Sequence, residues 1–308
     1  MLPPRPWPAL VGPTASGKTE AALAVAGRLG AEVLSVDSML VYRGMDVGTA
    51  KPTPGERAHV PHHLVDVARP GEAFSVSRFQ VLAVEALEGI ASRGSTPLVV
   101  GGSGLYFRAV VDGLTFPGTD PDIRGELERE ARVVGPAGLY ARLVASDPGA
   151  AAKIEPANVR RTVRALEVAA VTGRPFSSYA RDWERYPPEA VRAAGVELEP
   201  ADLARRIEAR VRTMVDGGFL DEVRALLDDG AGPSLTSGQA IGYAEIIEHL
   251  AGRTTLDQAL ARTVKRTRAL ARRQMGWFRR DPRIRWFRAG PDGAGAITDE
   301  LTEYLQGG

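Results

Sequence analysis

The chain has 308 residues and a mass of 32.9 kDa, which is room for about two domains of ~150 residues each. Hydrophobic residues make up 44% and charged residues 25% of the sequence, and no long apolar run occurs, which excludes a disordered protein and a membrane-spanning one. The absence of cysteine excludes disulfides, thiolate zinc sites and cysteine nucleophiles, and the formal net charge of +1 means that any basic surface is local.

The first pattern along the chain is a phosphate-binding loop. Apolar residues 9–11 predict a short strand that starts at Ala9, because Pro8 cannot donate within a sheet. The next eight residues fill every fixed position of Gly-x-x-x-x-Gly-Lys-Ser/Thr, and residues 20–29 predict the helix that follows. Such loops bind a diphosphate or triphosphate through backbone amides, a lysine and a hydroxyl that can hold Mg²⁺. We therefore expect phosphate to bind at Gly12, Pro13, Thr14, Ala15, Ser16, Gly17, Lys18 and Thr19, with Mg²⁺ on Thr19.

The proline-rich stretch before the loop is not the pattern of a signal peptide.

A carboxylate follows the second predicted strand, residues 32–36. Asp37 and Ser38 come directly after it, where the carboxyl end of a parallel strand meets the phosphate site. Asp37 either faces the ligand or caps the next helical turn, and spacing alone leaves both interpretations open.

Two glycines and a serine follow the strand predicted over residues 98–100. Typical nucleotide hydrolases place a magnesium-binding aspartate after such a strand. The sequence Gly101-Gly102-Ser103-Gly104 instead argues against an ATPase. It indicates close approach of a ligand with Ser103 as a donor, or a tight strand-to-helix turn.

The order of elements predicts an α/β fold: a P-loop NTPase-like parallel sheet core with an α-helical insertion domain. Residues 1–113 alternate strands with helices such as 76–93, and residues 114–196 are predicted as the insertion. Residues 197–308 return to the core and end in basic helices. The predicted helices of the insertion are 123–134, 136–145 and 159–172, and those after it are 201–215 and 220–227.

Basic residues concentrate in two places. Residues 262–288 contain eleven Lys and Arg against one acid, Asp281, interleaved with Trp277, Phe278, Trp286 and Phe287. This composition favours a contact with nucleic-acid phosphates, and the alternative is a solvated helix face with aromatic residues in the core. Within the insertion, Arg160 and Arg164 share one helix face.

Together these segments resemble the tRNA dimethylallyltransferases, the bacterial isopentenyl-tRNA transferase family. Residues 12–19, 36–42, 44–52, 61–64, 100–106, 164–168 and 239–243 carry the resemblance, which extends to about residue 278. It implies transfer of a dimethylallyl group from dimethylallyl diphosphate to the N6 amine of the adenine immediately 3′ of the anticodon, with release of diphosphate. The loop would then hold diphosphate rather than ATP.

The resemblance also implies roles for individual residues. Asp37 matches the proposed general base, Arg210 matches an arginine that clamps the diphosphate, and Ser103 stands where the family usually has threonine beside the bridging oxygen. Leu40 stands where glutamine is common. The residues expected near tRNA are Asp37, Ser38, Met39, Leu40, Ser103, Arg124, Arg160, Arg161 and Arg164, to which the basic segment adds Arg272 and Arg273.

The expected partners are the anticodon stem-loop of tRNA and dimethylallyl diphosphate, with no membrane involved. We expect a cytoplasmic monomer, since a bound tRNA would occupy much of the surface. A P-loop kinase of a nucleotide or small metabolite is the main alternative, although it leaves the basic segment unexplained. A non-catalytic nucleic-acid-binding module that uses nucleotide as a structural ligand is the second alternative.

Overall fold

The structure, a computed structural model, describes residues 1–179, 183–228 and 237–307. The chain forms two compact units, one of Met1–Gly113 with Tyr186–Gly308 and the other of Leu114–Arg185. The insertion was predicted to run to residue 196, and the second unit ends eleven residues earlier. The reason is that residues 191–197 form a strand of the first unit's sheet.

The first unit is built on a sheet of six strands. All of them are parallel, which confirms the predicted parallel sheet. Its strands are β1 Trp7–Val11, β2 Ala31–Ser35, β3 His62–His63, β4 Thr96–Gly101, β5 Val191–Glu197 and β6 Ile284–Arg288. Their order across the sheet is β3-β2-β4-β1-β5-β6. The carboxyl ends of β2, β4 and β1 are therefore adjacent, and this edge of a parallel sheet is where ligands bind.

Twelve α-helices are described. They are α1 Lys18–Leu29, α2 Pro54–His59, α3 Val76–Ser92, α4 Gly104–Val111, α5 Pro121–Ser146, α6 Pro148–Ala151, α7 Val159–Thr172, α8 Pro200–Asp216, α9 Phe219–Asp228, α10 Tyr243–Leu250, α11 Leu256–Phe278 and α12 Thr298–Gln306. Short 3₁₀ turns lie at Phe176–Tyr179, Pro188–Ala190, Ser237–Gln239 and Ala294–Ile297. None of the helices in the described residues is long and apolar enough to cross a membrane.

Apolar side chains cover both faces of the sheet. Along β1, Ala9 and Val11 belong to one buried cluster and Leu10 to the other, because successive side chains of a strand alternate. Phe79 of α3 packs in the first cluster, and Leu301 of α12 packs in the second. Helices on both faces bury the sheet, as parallel sheets require.

The first and last strands of the chain differ from the sequence prediction. The first begins at Trp7 rather than Ala9: pairing with β5 includes Pro8, whereas pairing with β4 starts at Ala9. Pro8 thus has a strand neighbour on one side only, where a missing N–H is tolerated. The last strand, β6, lies inside the basic segment and was not predicted, since its exposed arginines hide the apolar alternation.

The second unit contains α5, α6 and α7 around its own apolar cluster. Gly135 has a non-helical backbone (φ 72°, ψ 171°), so α5 consists of two helical segments, as predicted. The carboxylate of Glu167 is fully buried and accepts hydrogen bonds from the Asp120 N–H (3.0 Å), Arg124 (2.7 Å) and Arg164 (2.9 Å). Burial alone would raise the pKa of Glu167, but the bonds from the two arginines hold it below its ordinary value.

Replacing Glu167 should destabilise the second unit. Glu167→Ala leaves two arginines and one backbone amide without their acceptor, and loss of one member of a buried charge network typically costs about 3–5 kcal/mol. Urea unfolding followed by circular dichroism measures this loss. Glu126→Ala, at an exposed position of α5, is the control, and equal midpoints for the two variants would show that the network contributes nothing.

Candidate active site

The predicted phosphate-binding loop, residues 12–19, leads from β1 into α1 at the carboxyl edge of the sheet. Ala15 and Gly17 have left-handed backbone conformations (φ 64° and 85°), and Gly17 is the N-cap of α1. A side chain at position 17 would also meet the backbone nitrogen of Ala294 at 2.7 Å. Glycine is therefore required there both by conformation and by space, and the loop has the form that binds anions at a helix N-terminus.

Residues distant in sequence hold this loop in place. Arg206 donates from Nε to the Ala15 carbonyl (2.8 Å), and the Ala294 N–H donates to the Ser16 carbonyl (2.9 Å). The Thr14 N–H donates to the side-chain carbonyl of Gln274 (2.8 Å). No local sequence signal could have identified Arg206 or Gln274, because they lie 191 and 260 residues from their partners.

A cavity of about 510 Å³ opens beside the loop. Of the predicted site residues, Thr14, Ala15, Ser16, Gly17, Lys18, Thr19, Asp37, Leu40 and Arg210 line it. Residues to which the sequence assigned no individual role also contribute, among them Thr49, His62, Arg206, Thr213 and Gln274. The structure therefore brings together the loop, Asp37 of the turn after β2 and Arg210 of α8.

Two cations of the cavity, Lys18 and Arg210, interact with the carboxylate of Asp37. Burial, followed by the charge of Arg210, lowers the pKa of Lys18 to about 7, and Asp37 opposes that shift. Burial lowers the pKa of Arg210 as well, again opposed by Asp37. Arg210 also donates to the Thr49 carbonyl (2.9 Å), which fixes its guanidinium. Because burial disfavours the charged form of both cations, an anion in this cavity would stabilise those forms.

Asp37 satisfies both interpretations that its position allows. One carboxylate oxygen accepts the Met39 N–H (2.8 Å), which caps the turn after β2. The same side chain lines the cavity and interacts with Lys18 and Arg210. Burial, with the nearby charges of Tyr42 and Asp37, raises the pKa of the Tyr106 phenol, so this buried neighbour keeps its proton.

Ser38, Met39 and Ser103, which were also predicted at the site, are not among the residues that line the cavity. Ser38 and Met39 are half-buried, and the Met39 side chain packs against the core rather than lining the cavity. Ser103 is the N-cap of α4, and its hydroxyl makes no capping hydrogen bond. Gly101 and Gly102 line the cavity, whereas Ser103 itself is not among the described lining residues. The Ser103 hydroxyl is therefore not used by the helix that it begins.

The donor atoms present fit Mg²⁺ only together with a phosphate ligand. No group of three or more His, Asp or Glu residues suited to a metal occurs in the described ranges. Mg²⁺ commonly takes one or two protein ligands and completes its shell with waters and phosphate oxygens. The Thr19 hydroxyl and the Asp37 carboxylate line one cavity and supply such a partial set.

Helix α11 carries exposed cations. Arg272 and Arg273 follow Lys265 by seven and eight residues. All three side chains are exposed and have no hydrogen bond or ion pair to any residue that the structure describes. Four other cations of the segment are paired: Arg266 with Glu245, Arg268 with Glu208, Arg279 with Glu197, and Arg283 with Asp112 and Asp281. Phe278 and Phe287 are buried in the core, so the basic segment combines a solvated face with core aromatics.

The second unit has a basic groove of its own. Arg124, Arg132, Arg160 and Arg164 line a cavity of about 530 Å³ against α5 and α7, and Arg160 and Arg164 share a face as predicted. Arg161 is exposed outside this lining. Arg124 and Arg164 both bind Glu167, and Arg164 donates further to the Pro117 carbonyl (2.7 Å). These two arginines thus have a structural role that the sequence did not predict.

Family models and related sequences that match this chain all describe isopentenyl or dimethylallyl transferases. A model of the IPP transferase family matches residues 40–281, and a model described as isopentenyl transferase matches residues 7–65. A tRNA dimethylallyltransferase of Bifidobacterium animalis subsp. lactis is 49% identical over 91% of this chain and 81% of its own length. One from Streptomyces coelicolor is 48% identical over 92% of this chain and 90% of its own.

Solved structures agree with these sequences. The tRNA isopentenylpyrophosphate transferase of Bacillus halodurans has a TM-score of 0.70 and 40% identity, covering 97% of this chain and 95% of its own. A eukaryotic dimethylallyltransferase described as acting on tRNA has a TM-score of 0.72 and 25% identity, covering 92% of this chain and 74% of its own.

Diphosphate binding should take up a proton at Lys18. The pKa of Lys18 is about 7 in the free protein, and a bound anion raises it, so affinity is greatest below pH 7 and falls as the pH rises through that value. At pH 8, binding of dimethylallyl diphosphate should take up roughly one proton. Calorimetry in buffers of different ionisation enthalpy measures the uptake. Lys18→Arg keeps its charge at this pH and is the control; the same uptake in both proteins would contradict the assignment to Lys18.

Proposed function

The chain belongs to the IPP transferase family and transfers a dimethylallyl group to tRNA, and we propose that this group passes from dimethylallyl diphosphate to N6 of the adenine immediately 3′ of the anticodon. The observation that carries the proposal is the cavity in which the phosphate-binding loop, Arg210 and Asp37 meet. One wall supplies anion-binding groups, and another supplies a carboxylate able to accept a proton. Diphosphate departure and amine attack need these two properties.

The loop and its cations act on the leaving group. As the bond between the allylic carbon and the bridging oxygen breaks, its electron pair goes to diphosphate and negative charge develops there. Lys18, Arg210 and the loop amides bind that charge, and donors of this kind are each worth ~3–4 kcal/mol in a transition state. The forked guanidinium of Arg210, fixed by the Thr49 carbonyl, suits a diphosphate. Ser103 would donate its uncommitted hydroxyl to the bridging oxygen.

Asp37 acts on the incoming amine. The N6 nitrogen forms a bond to the allylic carbon and thereby loses a proton, which the Asp37 carboxylate accepts. Its bond to the Met39 N–H holds one oxygen in place and orients the other for this transfer. Since the adenine is attacked at its edge, it must first leave the stack of the anticodon loop.

Thr19 and the diphosphate oxygens would hold Mg²⁺. When bound, the ion neutralises charge on the diphosphate and makes it a better leaving group. The residues of the loop would keep their own roles in binding and orienting the anion.

We further propose that tRNA is held through its phosphates by Lys265, Arg272 and Arg273 of α11 and by the basic groove of the second unit. Cations without a protein partner are free to bind phosphate without first breaking an ion pair. By this criterion Arg272 and Arg273 are stronger candidates than Arg124 and Arg164, which bind Glu167. A monomer in the cytoplasm of a bacterium, acting on the anticodon stem-loop, completes the proposal.

The test is incubation of the purified protein with radiolabelled dimethylallyl diphosphate, Mg²⁺ and unmodified tRNA, followed by nucleoside analysis. The expected product is a prenylated adenosine next to the anticodon. Label at another nucleoside would contradict the proposed acceptor. Phosphoryl transfer from ATP to a small acceptor, with no label in tRNA, would favour a kinase.

Replacing Asp37 should separate chemistry from binding. Asp37→Asn keeps the shape and one acceptor for the Met39 N–H but accepts no proton, so turnover should fall at least ~100-fold. Affinity for tRNA, measured by filter binding, should stay close to that of the unsubstituted protein. An unchanged rate in single-turnover assays would remove Asp37 from the proton transfer.

Removing the unpaired cations of α11 should alter the salt dependence of tRNA binding. In Arg272→Ala/Arg273→Ala, the slope of log K against log salt should become shallower by about one unit for each tRNA phosphate that the variant no longer neutralises. The control Arg268→Ala/Arg279→Ala removes the same charge from residues paired with Glu208 and Glu197. Equal slopes for the two double variants would mean that net charge alone acts.

A further inference from the structure

One side chain of α11 lies between the two loops of the active site. The Thr14 N–H donates to the side-chain oxygen of Gln274 (2.8 Å). Because the backbone group is a donor, the atom facing it must be the carbonyl oxygen, which fixes the orientation of the amide. The other end of that amide points to the turn after β4: Nε2 lies 2.4 Å from the position that a Cβ on Gly102 would occupy.

Gln274 therefore spans the phosphate-binding loop and the turn that carries Ser103. Gly102 directly precedes Ser103, and the space beside its Cα, where another residue would carry a side chain, is filled by the Gln274 amide. One turn further along α11, Trp277 packs on the same segment, with Cε3 2.8 Å from a Cβ built on Gly104. The helix thus contacts this segment at two points, and the Gln274 side chain also binds the loop.

We propose that Gln274 is a positioning residue for prenyl transfer: by holding the Thr14 amide and filling the space at Gly102, it sets the distance between the loop and Ser103. The proposal rests on the proposed function, in which the loop binds the diphosphate and Ser103 reaches the bridging oxygen. The breaking bond lies between these two groups. A misplacement of about 1 Å across it can cost on the order of 100-fold in rate.

A cycle of two small substitutions tests this link by steady-state kinetics with dimethylallyl diphosphate and tRNA. Gln274→Ala removes the spacer and should lower kcat by about tenfold or more, with the KM for tRNA unchanged within about twofold. Gly102→Ala pushes the flexible end of Gln274 off its site, so it should lower kcat by the same mechanism. The double variant should then be no slower than the worse single variant, because the added methyl occupies space that Gln274→Ala has vacated.

Conservative and matched variants separate positioning from stability. Gln274→Glu keeps an acceptor for the Thr14 N–H at the same reach, so its kcat should exceed that of Gln274→Ala. Its negative charge beside the diphosphate should keep kcat below that of the unsubstituted protein and raise the KM for dimethylallyl diphosphate. Thr267→Ala truncates another half-buried side chain of α11, whose hydroxyl donates to the Thr263 carbonyl of the same helix. This variant should leave both constants unchanged. Thermal unfolding of every variant checks that each is folded at the assay temperature.

Each result decides the matter. Unchanged kcat in Gln274→Ala, or effects on kcat that multiply in the double variant, would overturn the proposal, since the two residues would then act independently. A fall of kcat in Gln274→Glu equal to that in Gln274→Ala would also overturn it. If the unsubstituted protein binds diphosphate but prenylates no tRNA, the proposed function fails, and the positioning role fails with it.

Discussion

The phosphate-binding loop depends on partners from outside itself. An anion site at a helix N-terminus needs backbone amides turned towards the ligand, which leaves other polar groups of the loop to be satisfied elsewhere. Here Arg206 donates to the Ala15 carbonyl, the Ala294 N–H donates to the Ser16 carbonyl, and Gln274 accepts from the Thr14 N–H. These residues come from α8, from the segment before α12 and from α11. The last third of the chain therefore determines the form of a motif at its start.

The cavity beside the loop holds buried cations and a carboxylate close together. Burial disfavours the ammonium of Lys18 and the guanidinium of Arg210, and Asp37 offsets this in part. A ligand with several negative charges therefore stabilises the charged forms of Lys18 and Arg210 most strongly. In the proposed reaction that gain grows as the bond to the bridging oxygen breaks, since charge accumulates on the diphosphate. Interactions that strengthen as the donor is cleaved are the ones that lower a barrier.

Sequence patterns predicted what local physics controls and missed what distant contacts control. The loop, Asp37 and helix α7 follow from motif and periodicity, and all lie where expected. Strand β6 was missed because its buried positions alternate with exposed arginines inside a basic run. The buried Glu167 that binds Arg124 and Arg164 was missed for a related reason: an arginine looks the same in sequence whether it faces solvent or a buried carboxylate.

Helix α11 shows how one element can serve several requirements at once. Ala271 and Phe278 are buried in the core, Gln274 reaches the loop, and Arg272 and Arg273 face solvent. These functions are compatible because a helix turns about 100° per residue, so that neighbouring positions point in different directions. The consequence is mechanical as well as chemical. A helix fixed by its core residues cannot move Gln274 without moving Arg272 and Arg273 as well. Helix α11 therefore fixes the position of the proposed tRNA contacts relative to the phosphate-binding loop.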